Sequence, residues 1–122
     1  MKMNILLVDD NKHFIEALRF MIQEHFADRV TQIFIAYNGV ECMEVLHKQS
    51  IDIIFMDKEM PIMNGTETTK KVVDMYRDIK IIAVSFHSEL QDITQMLEAG
   101  ARNYIIKEEI TKEIIEKCLV KF

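Results

Sequence analysis

Residues 51–65 read Ile-Asp-Ile-Ile-Phe-Met-Asp-Lys-Glu-Met-Pro-Ile-Met-Asn-Gly. The run 51–56 is short, apolar and rich in β-branched and aromatic side chains, the pattern of a strand buried on both faces. It stops at a carboxylate, Asp57, and after a loop Asn64, with Glu67 three residues on, caps a helix expected to run to about Tyr76. The same unit recurs on either side. Upstream, the run 5–8 stops at Asp9-Asp10 and precedes a helix whose Phe14, Ala17, Leu18, Met21 and Ile22 fall at i, i+3, i+4, i+7 and i+8. The run 33–36 precedes Asn38-Gly39, which opens a helix carrying Val40, Met43 and Leu46. Downstream, the run 81–84 stops at Ser85. Ser88-Glu89-Leu90-Gln91 then has the pattern of a capping box, opening a helix with Leu90, Ile93 and Leu97 on one side. Gly100 is placed to end that helix in the left-handed conformation. The run 104–106 stops at Lys107, and Thr111 caps a last helix with Ile114, Ile115, Cys118 and Leu119 inward. Five β-α units in a row predict an α/β domain, a parallel sheet with helices on both faces and right-handed crossovers.

Composition agrees and narrows the function classes. The 122 residues suffice for one domain over 1–122 with one core, and 49% hydrophobic with 29% charged residues argues against disorder. Only three Gly and one Pro argue against a turn-dense sandwich or barrel. A net charge of −5 is not that of a bare nucleic-acid-binding domain, so no direct contact of this segment with nucleic acid is expected. No apolar run approaches the length of a membrane span, and the N-terminal run is too short for a signal peptide. Cys42 and Cys118 lie far apart in helical patterns and read as reduced thiols, which points to the cytoplasm. The nine Met residues mostly fall on the apolar stripes and read as core filler.

In a parallel α/β sheet, function collects at the carboxyl ends of the strands. Those ends here are Asp9-Asp10, Asp57, Ser85 and Lys107. Singly, each is most simply a turn, cap or surface residue. Together they bring three carboxylates, a hydroxyl and an ammonium to one rim. Crowded carboxylates require a cation to stay ionised. With all-oxygen donors and no Cys or His, the ion expected is Mg²⁺ retaining several waters. Such a site suits in-line phosphoryl transfer, with Asp57 as the carboxylate nucleophile and an aspartyl phosphate as product.

The chain resembles the receiver domain of two-component response regulators over essentially its whole length. The resemblance rests on Leu7-Val8-Asp9-Asp10-Asn11, Asp57-Lys58-Glu59-Met60-Pro61-Ile62-Met63-Asn64-Gly65, Ala83-Val84-Ser85 and Tyr104-Ile105-Ile106-Lys107. It implies a flavodoxin-like (βα)5 doubly wound sheet of strand order 2-1-3-4-5. It further implies Asp57 as phosphoacceptor from a phosphohistidine on a sensor histidine kinase or phosphotransfer protein. Asp9, Asp10, Asp57 and the backbone carbonyl of Glu59 would hold Mg²⁺. Lys107 would pair with Asp57 and then with the phosphoryl oxygens. Ser85 would move to bind the phosphoryl group, and Tyr104 would be the switch residue that turns inward behind it, changing the face made by the fourth helix, fifth strand and fifth helix. A partner or a second copy of the domain would read that face.

Two departures from the commonest receivers stand out. Lys107 is followed by Glu108 where most carry a proline, usually with a cis bond, and a cis bond before Glu costs about 2.5–4 kcal/mol. Ser85 is followed by Phe86 and His87 where a small residue is common, so Phe86, His87 and Glu59 are expected to flank the site and shield an acyl phosphate from water. Of the other histidines, His13, His25 and His47 read as helix-surface residues, so the donor histidine is expected from another protein. Ser-Phe-His, Gly100-Ala101-Arg102-Asn103-Tyr104 and the Lys-Glu ending look like the LuxR-type branch, in which a receiver precedes a helix-turn-helix output domain and regulates transcription. The expectation is a stand-alone switch or the front part of such a regulator, catalysing no reaction beyond its own phosphorylation and slow dephosphorylation. The rivals are an aspartyl-phosphate phosphatase or phosphotransferase, a phosphorylation-independent receiver-like binding module, and a flavodoxin-like cofactor binder. The enzymes usually carry Asp-x-Asp after the first strand, where this chain has Asp-Asp. The cofactor binder would need a Gly- or Ser/Thr-rich phosphate loop, which is lacking.

Overall fold

In a computed structural model of the chain, which describes residues 2–120, each predicted unit forms. The strands are β1 (Met3–Val8), β2 (Val30–Ala36), β3 (Ile53–Asp57), β4 (Lys80–Ser85) and β5 (Asn103–Ile106). The helices are α1 (Lys12–Phe26), α2 (Gly39–Lys48), α3 (Gly65–Met75), α4 (Leu90–Ala99) and α5 (Lys112–Cys118). All strand pairs are parallel, in the order β2-β1-β3-β4-β5. The predicted flavodoxin-like topology is therefore the observed one.

Alternation along the strands builds a separate apolar layer on each face of the sheet. Ile5, Leu7, Ile53, Phe55, Ile82 and Val84 pack under α1 and α5, against Ile15, Leu18, Ile22 and Ile115. Leu6, Val8, Ile54, Met56, Ile81 and Ala83 pack under α2, α3 and α4, against Cys42, Leu46, Val72 and Met96. Because each central strand is buried on both sides, it reads as an unbroken apolar run and not as an alternating one. Cys42 and Cys118 are free and buried, and burial pushes the Cys42 thiol up to about 12, so it packs as a neutral group. No helix among the described residues is long and apolar enough to cross a membrane.

The caps explain where most helices start. The side chains of Asn38, Asn64 and Thr111 accept backbone N–H bonds from Glu41, Glu67 and Ile114, as expected, and Asn11 does the same from Phe14. The fourth helix departs from expectation. Its N-cap position falls to Glu89, one residue past Ser88, and no side chain caps it. Leu90 and Leu97 face outward, 78% and 44% exposed, and the helix docks through Met96 and Ala99 instead. The buried Met96 and Ala99 mark the docked side, and the leucines fall on the far side. Val40 of α2 likewise faces solvent. Gly100 does end α4 with a positive φ of 125°. There is no cis peptide bond among the described residues, and Lys107–Glu109 form a single 3-10 turn.

The β3–α3 loop is drawn tight beneath the strand end. Gly65 N–H donates to the Lys58 carbonyl at 2.8 Å, and Met63 N–H to the Pro61 carbonyl at 2.8 Å, closing a three-residue turn. Ile62 at its centre takes φ 71°, a left-handed conformation that is costly for a β-branched residue. A Cβ at Gly65 would run into the Asp57 carbonyl oxygen and come within 2.8 Å of the Lys58 Cα, both backbone atoms that cannot give way. Gly65→Ala should therefore lower stability by roughly 2–4 kcal/mol. Urea unfolding measures this, and an unchanged midpoint would show that the loop relaxes at no cost.

Candidate functional site

Adjacent placement of β1 and β3 forces the acidic strand ends together. Asp9 follows β1 and stays in the ladder, its N–H donating to the Ala36 carbonyl at 3.1 Å. Its Oδ1 accepts from Asn11 N–H at 2.9 Å, which sets the carboxylate's orientation. Asp57 is the last residue of β3. Asp9 and Asp57 are 3% and 6% exposed, whereas Asp10 is open to solvent. Each of the three offers a carboxylate oxygen, and these atoms lie within 4.8 Å of one another.

The ammonium of Lys107 enters this cluster from the turn after β5. It lies 2.7 Å from Asp9 Oδ2 and 3.7 Å from Asp57 Oδ1, so its nearer partner is Asp9 and not Asp57. Two aromatic rings flank it, Phe14 of α1 with its centroid at 4.4 Å and Phe86 at 4.9 Å. Ring faces attract a cation and keep water from it. The sequence places Phe86 beside the site, whereas helical spacing assigns Phe14 to the α1 stripe alone.

One ammonium against three carboxylates leaves a surplus of negative charge. Burial first, and then the Asp9 charge, push the Asp57 carboxyl up from 3.8 to about 7, although Lys107 pulls the other way. Hard oxygen donors at this spacing, with net negative charge left over, fit a divalent cation of the Mg²⁺ type. The side chain of Glu59 points elsewhere, to Lys58 Nζ at 3.5 Å and toward His87 Nε2 at 3.9 Å.

Ser85 closes β4 and is 1% exposed. Its Oγ accepts the His87 N–H at 3.1 Å, and its side chain also meets the Tyr104 hydroxyl, a contact that works against the rise in the phenol's pKa. Tyr104 of β5 packs against the α2–α4 layer and donates its hydroxyl to the His87 carbonyl at 2.7 Å. Burial pushes its phenol up from the usual 10.0. Ser85 and Tyr104 are thus both bonded to the β4–α4 loop. His13, His25 and His47 lie on exposed helix positions away from these bonds.

Lys58 escaped the sequence reading. It is only 8% exposed, and its ammonium bonds Asp92 Oδ1 on α4 at 3.0 Å. Burial works against its charge, but Asp92 and Glu59 more than offset that, so its pKa is raised from 10.5.

Comparison with known proteins agrees with the fold. The family model of the response regulator receiver domain matches residues 5–119. The transcriptional regulatory protein DegU of Brevibacillus brevis is 31% identical over 120 residues, 98% of this chain and 50% of that protein. Sporulation initiation phosphotransferase F of Bacillus subtilis is 29% identical over 107 residues, 88% of this chain and 83% of that protein. The signal receiver domain of a histidine kinase from Syntrophus aciditrophicus superposes with a TM-score of 0.83 at 25% identity, covering 96% of this chain and 86% of that one. The chain spans about half the length of several of the curated relatives it matches. A match running from β1 through α5, on a sheet of this strand order, shows that the chain belongs to the response regulator receiver domain family of two-component signalling.

Proposed function

We propose that this receiver domain is a phosphorylation-dependent switch in which Asp57 accepts a phosphoryl group from the phosphohistidine of a sensor histidine kinase or phosphotransfer protein, with Mg²⁺ bound at Asp9, Asp10 and Asp57. The observation that carries the reading is the carboxylate cluster, with the Lys107 ammonium inside it and Ser85 nearby on the same rim. Asp57 Oδ attacks phosphorus as the P–N bond breaks, the imidazole leaves with the bonding pair, and an acyl phosphate remains on Asp57. Bound Mg²⁺, with the Glu59 carbonyl as a further ligand, supplies neutralising charge to the phosphoryl oxygens.

The chain's own residues do the rest. Lys107 is already close to both buried carboxylates and exchanges part of its bond to Asp9 for the new oxygens. Ser85 exchanges its contact with the Tyr104 hydroxyl for a bond from its O–H to the phosphoryl group. Phosphorylation changes the charge at Asp57 from −1 to about −2, and this added charge stabilises the conformer with Ser85 and the β4–α4 loop drawn in. Tyr104, bonded to that loop through His87, follows, and the α4-β5-α5 face changes. A shift from 1:99 to 99:1 needs about 5.5 kcal/mol of differential stabilisation. The reader of that face is a second copy of the domain, a partner, or a C-terminal helix-turn-helix output domain, and in the last case the process is transcription regulation. DegU, of which this chain matches half, supports that assignment. The domain itself spans residues 1–122, and the cytoplasm is the setting consistent with reduced Cys42 and Cys118.

Incubation with phosphoramidate should add one phosphoryl group to the protein in the presence of Mg²⁺. Intact-mass measurement should show none with a chelator or in Asp57→Asn. Labelling that persists in the variant, or that ignores the metal, overturns the assignment; rapid multiple turnover of the donor would mark a phosphatase instead.

The raised Asp57 pKa predicts a pH dependence with a definite sign. A carboxyl whose folded pKa lies above its unfolded value stabilises the fold fully below about 3.8 and loses that contribution as pH rises through about 7. The metal-free protein should therefore lose stability between these limits. Asp57→Asn should recover about 1–2 kcal/mol at pH 8, and Mg²⁺ should stabilise the wild type far more than the variant. Thermal unfolding across pH 4–8, with and without Mg²⁺, measures all three.

Phe86 shields the Lys107 side of the site. Phe86→Ala removes a half-exposed cation–π contact worth about 0.5–1 kcal/mol, so loss of the phosphoryl group should quicken about 2–5-fold. An unchanged half-life of the acyl phosphate would remove Phe86 from this role.

A further inference from the structure

A lysine next to a strand end ordinarily extends to solvent. Lys58 does not: the residue immediately after Asp57 is buried, with its ammonium 3.0 Å from Asp92 Oδ1 in the first turn of α4 and 3.5 Å from Glu59 Oε1. Asp92 is itself mostly covered, at 22% side-chain exposure. Among the five α-helices, α4 has no side-chain cap bond at its N-terminus, and its outward leucines contribute little to docking. Its start is therefore fastened by Lys58 and, further along, by Thr66 Oγ1 against Met96 Sδ at 3.3 Å. Tyr104 lies close enough to the pair for its phenol to feel both charges.

We infer that Lys58 is a positioning residue: its ion pair with Asp92 straps the first turn of α4 to the residue that follows the phosphoacceptor, and through it a change at Asp57 reaches α4 directly, in parallel with the Ser85–Tyr104 route. The inference rests on the reading of Asp57 as phosphoacceptor. Lys58 does not touch the reacting atoms. Its ammonium pairs with Asp92 and Glu59 and not with Asp9, Asp10 or Asp57, and the residue lines the groove between α3 and α4 together with Asn64, Thr66, Gln95 and Glu98. A partly buried pair of this kind is most costly when one member is removed alone.

Hydrogen exchange of the amides of residues 93–97 tests the strap, with and without phosphoramidate and Mg²⁺, in wild type, Lys58→Met, Lys58→Arg, Asp92→Asn and the double variant Lys58→Met/Asp92→Asn. Either charge-removing variant should quicken exchange in this segment about ten-fold before phosphorylation and shrink the change that phosphorylation produces, while intact mass still shows the label on Asp57. Lys58→Arg should restore the wild-type response, and the double variant should be no worse than either single one, as expected for one shared interaction. Asp92→Asn preserves shape and gives the reading even if Lys58→Met folds poorly. Wild-type exchange and response in both singles, or effects that simply add in the double, would overturn the strap. Absence of label from wild type would instead overturn Asp57 as phosphoacceptor, leaving the exchange of the unphosphorylated proteins to decide the strap alone.

Discussion

A surplus of negative charge at the carboxyl edge of the sheet is the constraint to which the rest of the structure answers. Parallel pairing of β1 with β3 puts Asp9 and Asp57 side by side whatever their mutual repulsion. The fold meets that repulsion with one buried ammonium and a carboxyl pushed up to about 7. Neither removes the surplus. A site of this kind is incomplete by construction, and the cation and phosphoryl binding proposed for it would follow from that incompleteness. The cost in fold stability is borne by the two apolar layers, which hold the strand ends in place from both faces of the sheet.

Much of this was legible in the residues. Unbroken apolar runs stopping at Asp9, Asp57, Ser85 and Lys107 define both the strands and the rim, because burial on two faces and solvation at the end are opposite demands on neighbouring positions. The asparagine and threonine caps could be read for the same reason, since each names a backbone donor three residues away. The fourth helix could not. Leu90, Ile93 and Leu97 make a regular stripe, but periodicity does not say which side faces the sheet, and the small Ala99 marks the docked side with a weaker signal than a leucine does. The start of β3 also shifted by two residues. Ile51 and Asp52 precede the strand, although Asp52 still gives its N–H to the Asn4 carbonyl and receives that of Lys80.

Within the site, what escaped were pairings between residues far apart in sequence. Lys58 and Asp92 are 34 residues apart, and each taken singly reads as a solvated surface charge. The Phe14 ring was assigned to the core by its helical spacing, yet from the first turn of α1 it also reaches the Lys107 ammonium. The closer approach of Lys107 to Asp9 than to Asp57 depends on side-chain torsions that no pattern encodes. In each case residue type and order locate the group, and only three-dimensional closure names its partner.

The parity of the strands has a consequence for how such a domain can vary in length. Along β3, Ile54 and Met56 belong to one layer and Phe55 to the other, with Asp57 at the end in fixed phase with both. One residue inserted within the strand would invert that phase, sending each layer's side chains to the wrong helices and turning the terminal carboxylate away from Asp9. The stretch between His87 and Leu90 carries no such phase, so additions there, past the bonds that fix His87 to Ser85 and Tyr104, lengthen the path without reassigning a side. Insertions and deletions are thus tolerated in a pattern set by the sheet's two-residue period, with the rim as the point where each strand's count begins.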